Sequence, residues 1–219
     1  MKFKRNQTER AILKTLNAQG ARADEVRFRL KRLLAADRSL GRRPNARDEA
    51  DRHYAFYSQE PPGKGGEIMF SSYEAFALLA AIVLLEHGIP QARVIKVLRN
   101  VRRQFEAAHT QTLKKDPRVL FDRQAILAQA KPGTIATDNT DPVFLAFARL
   151  TDSAVDDQAG GAAVAVCHGQ PELWKFIGKH SIPGVGATFF EFVRLMHTLA
   201  ANLAETRASK RGRRSDWPS

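Results

Sequence analysis

The longest apolar stretch of the chain lies between residues 71 and 88 and predicts a buried helix. Ser71 and Glu74 have the spacing of a capping box, and the run AFALLAAIVLLE that follows is apolar almost all round. Gly88 can end this helix in the left-handed conformation. Pro90 suits the first turn of a next helix, where its missing N–H leaves no hydrogen bond unmade. We expect the rest of the chain to be arranged around this helix pair.

The second helix of the pair is predicted to be amphipathic and basic. Its apolar residues fall on one face at helical spacing, namely Val94, Leu98, Val101 and Phe105. Four cations fall outside that face, namely Arg93, Lys96, Arg99 and Arg103. The pattern therefore predicts a buried apolar stripe and an exposed basic surface.

Two further helices are predicted near the N-terminus, over about residues 7–18 and 22–36, with Gly20 in the corner between them. Val26, Leu30 and Leu33 form the inward stripe of the second helix. Helix, short corner and helix are the form of a helix-turn-helix. The opposite face of the second helix carries Asp24, Phe28, Lys31, Arg32 and Ala35, with Arg27 at its edge.

A β-hairpin is predicted between these two helix pairs. HYAFYS at residues 53–58 has strand composition, and EIMFS at 67–71 is a second short strand. The segment QEPPGKGG between them is a turn, and it places Lys64 among glycines that allow a backbone to approach a phosphate. The polar stretch 41–52, which contains Arg42 and Arg43, is predicted to be a loop.

The second half of the chain predicts a small α+β unit. Strands are expected at 143–150 and 162–167, and short helices near 122–130 and after Pro171. Thr188 and Glu191 have the form of a second capping box, so the final helix is expected over 188–206. This helix is apolar on two faces and needs two partners, which predicts a homodimer whose interface contains Phe189, Val193, Met196 and Leu203.

The net charge of +12, with a sequence pI of about 10.3, indicates an anionic partner. Residues 1–47 carry 14 Lys and Arg against 4 Asp and Glu, whereas residues 138–172 carry 1 Arg against 6 acids. Charge that only keeps a protein in solution would not be sorted in this way. The predicted contacts to double-stranded DNA are Arg22, Arg27, Lys31 and Arg32 on the second helix, and Arg42, Arg43 and Lys64 on phosphates.

Other classes of function find less support in the sequence. One cysteine, Cys167, excludes an intramolecular disulfide framework and favours a reducing, cytoplasmic location. The longest apolar run is too short to cross a membrane, and the six histidines show no metal-binding spacing. GKGG at 63–66 lacks the Walker spacing, and no convergent catalytic cluster is evident. We therefore expect no enzyme activity, no cofactor and no metal.

Residues 8–40 resemble the helix-turn-helix of winged-helix regulators. The segment YAFYS…EIMFS and the following SSYEAFALLAAIVLLEHGIPQARVIKVLRNV are similar to the wing and helix pair of MerR-type regulators. The resemblance covers about the first half of the chain and implies DNA binding as a dimer. The chain departs from that family because no cysteine metal loop follows a long dimer helix, which puts metal sensing in doubt.

The predicted fold is mainly α with a small α+β part. Residues 1–109 would form a winged helix-turn-helix DNA-binding domain with its helix pair, 110–206 an α+β dimerisation or sensing domain, and 207–219 a basic disordered tail. The predicted function is a transcriptional regulator that binds an operator as a homodimer. The alternative is a sequence-independent nucleic-acid-binding protein of the nucleoid or of RNA. The sequence leaves open whether a small-molecule effector binds.

Overall fold

The first half of the chain folds into helices and two short strands. The computed structural model describes residues 1–62, 66–148, 163–181 and 186–206. In chain order the elements of this half are β1 (Lys2–Lys4), α1 (Arg5–Thr15), α2 (Gly20–Leu40), α3 (Glu49–Arg52), β2 (Met69–Ser71), α4 (Ser72–Glu86), α5 (Gln91–Asn100) and α6 (Arg102–Thr112).

The second half adds a three-stranded antiparallel sheet and its flanking helices. Its elements are α7 (Pro117–Leu120), α8 (Arg123–Gln129), β3 (Val143–Ala148), β4 (Ala163–His168), α9 (Gly169–His180), β5 (Ala187–Glu191) and α10 (Val193–Glu205). The predicted strands at 143–150 and 162–167 are therefore present, except that residues 149, 150 and 162 lie outside the described residues. The fold class is mainly α with small antiparallel sheets, as predicted.

Helix α4 lies at the centre of the fold and begins with the predicted capping box. Ser71 Oγ accepts a hydrogen bond from the Glu74 N–H at 3.1 Å, and the Ser71 N–H donates to Glu74 Oε2 at 2.6 Å. Almost every side chain of α4 is buried, because α2, α5, α6 and α10 pack around it. Gly88 follows with a φ of +81°, the left-handed conformation that only glycine adopts readily.

The helix predicted after Pro90 is two helices, α5 and α6. The break lies at Val101, whose φ of −90° and ψ of 4° depart from helical values. The four apolar residues of the predicted stripe are all buried against the core, namely Val94, Leu98, Val101 and Phe105. The stripe was therefore predicted correctly, although the helix is interrupted.

Arg99 is buried, contrary to the prediction that it lies on an exposed basic surface. Its Nε donates to Asp37 Oδ1 at 2.7 Å, and its terminal nitrogen donates to the Asp37 carbonyl at 2.6 Å. The Asp37 carboxylate also accepts from the backbone N–H groups of Ala55 (3.1 Å) and Phe56 (3.0 Å). Both side chains are shielded from water, with exposed fractions of 4% for Arg99 and 0% for Asp37. This pair joins α2, α5 and the chain at 54–58.

Two further buried charged residues, Arg102 and Glu74, also form hydrogen bonds with the 54–58 segment. Arg102 donates to the carbonyls of Tyr54 (2.7 Å) and Ala55 (3.0 Å) and to Ser58 Oγ (3.2 Å). Glu74 accepts from the Ser58 N–H and from its hydroxyl group, the latter at 2.8 Å. The backbone of this segment is thus satisfied by side chains of α2, α4 and α6 rather than by a neighbouring strand.

The predicted hairpin of residues 53–58 with 67–71 does not form. Residues 53–58 have no strand conformation, although their aromatic side chains are buried as expected. Strand β2 pairs instead with β1, with Phe3 opposite Phe70 in an antiparallel register. The prediction was wrong because strand composition describes side-chain burial, whereas the hydrogen-bond partners of the 54–58 segment come from distant charged residues.

The three-stranded sheet separates two apolar clusters. Its order is β4-β3-β5, and Leu145 lies between Val166 and Phe190. Alternate residues of β3 face opposite sides, so Leu145 joins the main helical core while Phe144 joins a smaller cluster under α9. Every residue of β3 is therefore buried, which explains why its sequence is apolar without alternation.

The final helix begins at Val193 rather than at Thr188. Residues 187–191 form β5, which places Phe189 opposite Ala146 in the sheet. Glu191 is not the third residue of a helix, since its carboxylate accepts from the Val193 N–H at 2.8 Å, directly ahead of α10. The predicted capping box was wrong because pairing with the edge of β3 takes up these residues.

The main apolar core crosses the predicted domain boundary between residues 109 and 110. It contains side chains of α1, α2 and α4 together with Phe192, Met196 and Leu199 from the end of the chain. Helix α10 packs along α1, and Asn202 donates to Thr15 Oγ1 at 3.0 Å. The two predicted parts thus share one core.

We expect the substitution Asp37→Asn to lower the free energy of unfolding by about 3–5 kcal/mol, because it leaves the Arg99 charge buried without a counter-charge. Asp24→Asn is the matched control on the same helix, since Asp24 is exposed and its ion pair with Arg27 lies in water. Urea unfolding followed by circular dichroism measures both. Equal losses in the two variants would contradict the importance given to the buried pair.

The stability of the protein should fall in mild acid because His109 is buried among aromatic rings. Burial, with a smaller contribution from His197, lowers the pKa of His109 from 6.5 to about 4. The unfolded chain therefore binds a proton at this site below pH 6.5 that the folded chain does not, so the free energy of unfolding decreases as the pH falls from 6.5 to 4. The expected loss at pH 4 is about 3 kcal/mol.

Urea unfolding at a series of pH values tests this dependence. His109→Phe should remove most of the slope between pH 6.5 and 4, whereas His87→Ala, at an exposed position, should leave it unchanged. The comparison uses slopes rather than absolute stabilities, so any packing change caused by the phenylalanine does not affect it. A slope retained in the His109 variant would assign the proton uptake to other groups.

Candidate nucleic-acid interface

Helices α1 and α2 are joined by a four-residue corner at residues 16–19. Asn17 has a φ of +49°, the left-handed conformation, and the Ala18 side chain is buried beneath the corner. Gly20, predicted to end the first helix, is instead the first residue of α2. The pair has the predicted helix–corner–helix form.

The two faces of α2 are those predicted from its sequence. Val26, Leu30 and Leu33 are buried against α4 and α5. The predicted outward face is exposed, beginning with Asp24. We call the part that follows the α2 face; it consists of Arg27, Phe28, Lys31, Arg32 and Ala35. Because the inner stripe fixes the rotation of the helix about its axis, these five side chains are presented together to solvent.

The acidic residues of α2 are each paired with an arginine. Asp24 accepts from Arg27 at 2.6 Å, and Glu25 forms an ion pair with Arg29. Asp37 is buried against Arg99 from α5. The carboxylates of α2 are therefore neutralised within the protein.

Three cations of α2 retain uncompensated charge. Lys31, Arg32 and Arg38 are exposed, and no carboxylate of a described residue lies within ion-pair distance of them. The Arg32 guanidinium lies 5.7 Å from the centre of the Phe28 ring, and Arg38 donates to the Pro62 carbonyl at 2.9 Å. The α2 face and its C-terminal end thus carry a local excess of positive charge.

The remaining predicted contacts on α2 and its following loop are placed differently. Arg22 is exposed but lies 3.2 Å from Glu86 of α4, so its charge is partly compensated. Arg42 is exposed in the loop after α2, whereas Arg43 forms an ion pair with Asp51. Arg47 in the same loop is exposed and was not predicted.

The sequence analysis also missed Arg38, which lies one turn beyond Ala35 on α2. Its position seven residues after Lys31 was the signal that would have identified it. The predicted end of the helix at residue 36 concealed that signal, because α2 extends to Leu40.

Lys64 lies within residues 63–65, outside the described part of the chain. The hairpin that was expected to carry it is not formed, so its predicted phosphate contact has no structural placement. The predicted tail, residues 207–219, also lies outside the described residues.

The residues predicted to form a dimer interface lie mostly inside this chain. Val193, Met196 and Leu203 are buried in the main core. Phe189 is half-buried in β5 and packs edge-on against Phe144 at a ring-centre distance of 5.7 Å. The opposite face of α10 is also covered, since Phe192 and Leu199 are buried and Leu195 packs against the same core. Val193, Met196 and Leu203 are therefore covered within this chain, whereas Phe189 keeps part of its surface exposed.

The structure does not present Cys167, the single cysteine of the chain, as a reactive thiol. Cys167 is buried in the cluster under α9, where burial and the nearby Glu172 raise its pKa to about 11. At neutral pH this side chain is a protonated thiol and a poor nucleophile. Within the described ranges, no group of three His, Cys, Asp or Glu residues is arranged to hold a metal ion.

Comparison with known proteins found no match to this chain among family models, curated proteins or solved structures. The functional conclusion therefore rests on the chain's own charge and geometry, above all on the α2 face.

Proposed function

We propose that the protein binds double-stranded DNA through α2 and acts as a transcriptional regulator. The observation that carries this proposal is the α2 face, where Lys31 and Arg32 are exposed beside Phe28 while the acids of the helix are paired or buried. DNA carries one negative charge per about 1.7 Å of duplex, so an unneutralised row of cations favours binding to it.

The dimensions of α2 suit the major groove. A helix of 21 residues is about 30 Å long, and the major groove of B-DNA is about 12 Å wide and admits an α-helix. Lys31 and Arg32 lie near the middle of the helix, which supports a role in contacting base edges. Lysine and arginine are the usual donors to guanine O6 and N7.

The loop after α2 supplies candidate phosphate contacts. Arg42 and Arg47 are exposed there, and Arg38 lies at the last turn of the helix. Such contacts would set the position of α2 on the duplex without sequence preference. Arg22, Arg27 and Arg43 are weaker candidates, because each already has a carboxylate partner.

The proposal uses a helix-turn-helix formed by α1 and α2 and does not include the predicted wing. The likeness to MerR-type regulators stays a prediction, supported by the helix pair α4 and α5. A homodimer on a two-fold operator also stays a prediction, now without an assigned interface. Among the described residues, no helix has both the length and the apolar character needed to cross a membrane. We retain the cytoplasm as the predicted location.

Selection of bound fragments from random and genomic DNA tests the proposal against sequence-independent binding. A regulator should enrich a consensus and bind it at least a thousandfold more tightly than random DNA at physiological salt. Two-fold symmetry in the consensus would support a dimer. Salt-dependent binding without any consensus would favour the alternative, a nucleoid or RNA-binding protein.

The double substitution Lys31→Ala with Arg32→Ala should weaken binding to the selected site by tenfold or more, because each contact to a base edge is worth about 1–3 kcal/mol. The free energy of unfolding should change little, since substitution of an exposed residue usually shifts it by about 0.5 kcal/mol or less. Fluorescence anisotropy with labelled duplexes measures the affinity.

The matched control is Lys175→Ala with Lys179→Ala on α9, which removes the same charge from two exposed positions away from α2. It should affect specific affinity only slightly. Equal weakening by both double variants would mean that net charge, not the α2 face, governs binding, and the assignment of α2 would be withdrawn.

A further inference from the structure

Phe28 is the most exposed aromatic side chain in the described part of the chain. Its exposed fraction is 59%, compared with 47% for Trp174, whereas most other phenylalanines are buried or half-buried. It lies on the α2 face, one turn before Lys31 and Arg32. A phenyl ring offers neither charge nor a hydrogen bond to a phosphate, so a contact between Phe28 and DNA would be apolar.

We propose that Phe28 contacts the 5-methyl group of a thymine in the major groove and thereby determines part of the sequence specificity. This inference rests on the proposed function, since it requires α2 to lie in that groove. The inference names the thymine methyl group as a chemical group that the protein recognises, which the basic residues alone do not identify.

The chemistry of the groove favours a methyl group as the partner of this ring. Every base edge in the major groove presents hydrogen-bond donors or acceptors, and thymine alone among the four bases adds an apolar methyl group there. A phenyl ring has no polar atom, so its favourable contact is with that methyl group. The contact removes apolar surface of both partners from water.

Arg32 prepares Phe28 for this contact. The Arg32 guanidinium lies 5.7 Å from the ring centre, within the range of a cation–π interaction. Because the two side chains are four residues apart on one helix, each restricts the rotamers of the other. A side chain that is already ordered loses less conformational entropy when it binds. Arg32 thus serves both as a cation and as a support for the ring.

Stacking on bases of a single strand is the competing role for an exposed aromatic ring. Proteins that use it combine a basic groove with several aromatic side chains that hold successive bases. The α2 face presents one ring on the convex surface of a regular helix. The arrangement therefore favours duplex DNA over a single strand.

Replacement of thymine by uracil tests the proposal, because it removes the methyl group and leaves the base pair unchanged. Thymines of the selected consensus are replaced one at a time, and affinities of the full-length protein are measured by fluorescence anisotropy. We expect uracil at one position of the site to lower the affinity of the wild type about fourfold, which is the effect of one buried methyl group. A duplex with 5-methylcytosine at that position should bind more tightly than the same duplex with cytosine, by a similar factor.

Phe28→Ala should bind the thymine and uracil duplexes with equal affinity, and Phe28→Leu should retain part of the difference. Both substitutions are at an exposed position and should not prevent folding. Circular dichroism of the variants checks this. Trp174→Ala, at the other exposed aromatic residue, is the matched control and should keep the full discrimination between thymine and uracil.

The inference is overturned if the wild type selects a consensus but no thymine can be distinguished from uracil, and the proposed function then still stands. It is also overturned if Phe28→Ala discriminates as well as the wild type. The wild type could also bind single-stranded thymine oligonucleotides more tightly than the duplex. If Phe28→Ala lost this preference, Phe28 would stack on bases rather than contact a methyl group. If no consensus is selected, the proposed function fails and this inference fails with it.

Discussion

The buried ion pair between Asp37 and Arg99 is the interaction on which the first half of the protein depends. The Asp37 carboxylate accepts hydrogen bonds from the Arg99 guanidinium of α5 and from two backbone N–H groups of the 54–58 segment. It therefore joins three parts of the chain that are distant in sequence. It lies at the inner side of α2, three residues after Leu34 and opposite the exposed face. The position and rotation of α2 are therefore determined by a charged contact as well as by its apolar stripe. A change that leaves either charge unpaired would disturb the surface that we assign to DNA.

The charges of α2 are divided between structure and surface. Its three acidic residues are occupied by arginines, two on the same helix and one on α5. Lys31, Arg32 and Arg38 have no such partner among the described residues, and they lie outward. A count of charges along the helix shows only a basic excess. The pairing shows which cations have no carboxylate partner and are left for the proposed contacts to DNA. It makes Arg22 and Arg27, predicted on the same helix as Lys31 and Arg32, and Arg43, predicted on a phosphate, weaker candidates.

The two ends of the chain complete one core. Helix α10 packs along α1, and β1 pairs with β2, so residues near both termini cover the apolar surface around α4. Residues of both apolar faces of the final helix accordingly pack into the main core of this chain. An amphipathic pattern shows that a surface is buried, and it does not identify the partner that buries it.

The local features of this protein could be predicted from its sequence alone. The capping box at Ser71, the inner and outer faces of α2, the stripe from Val94 to Phe105 and the apolar strands β3 and β4 all follow from spacing within a few residues, and all are present. Other features depend on residues that are far apart in the sequence. Residues 54–58 are buried without forming a strand because Asp37, Arg102 and Glu74 form the hydrogen bonds to their backbone. Phe189 belongs to β5 because its segment pairs with β3. Local patterns specify which side chains avoid water, but hydrogen-bond partners separated by tens of residues are chosen only when the whole chain packs.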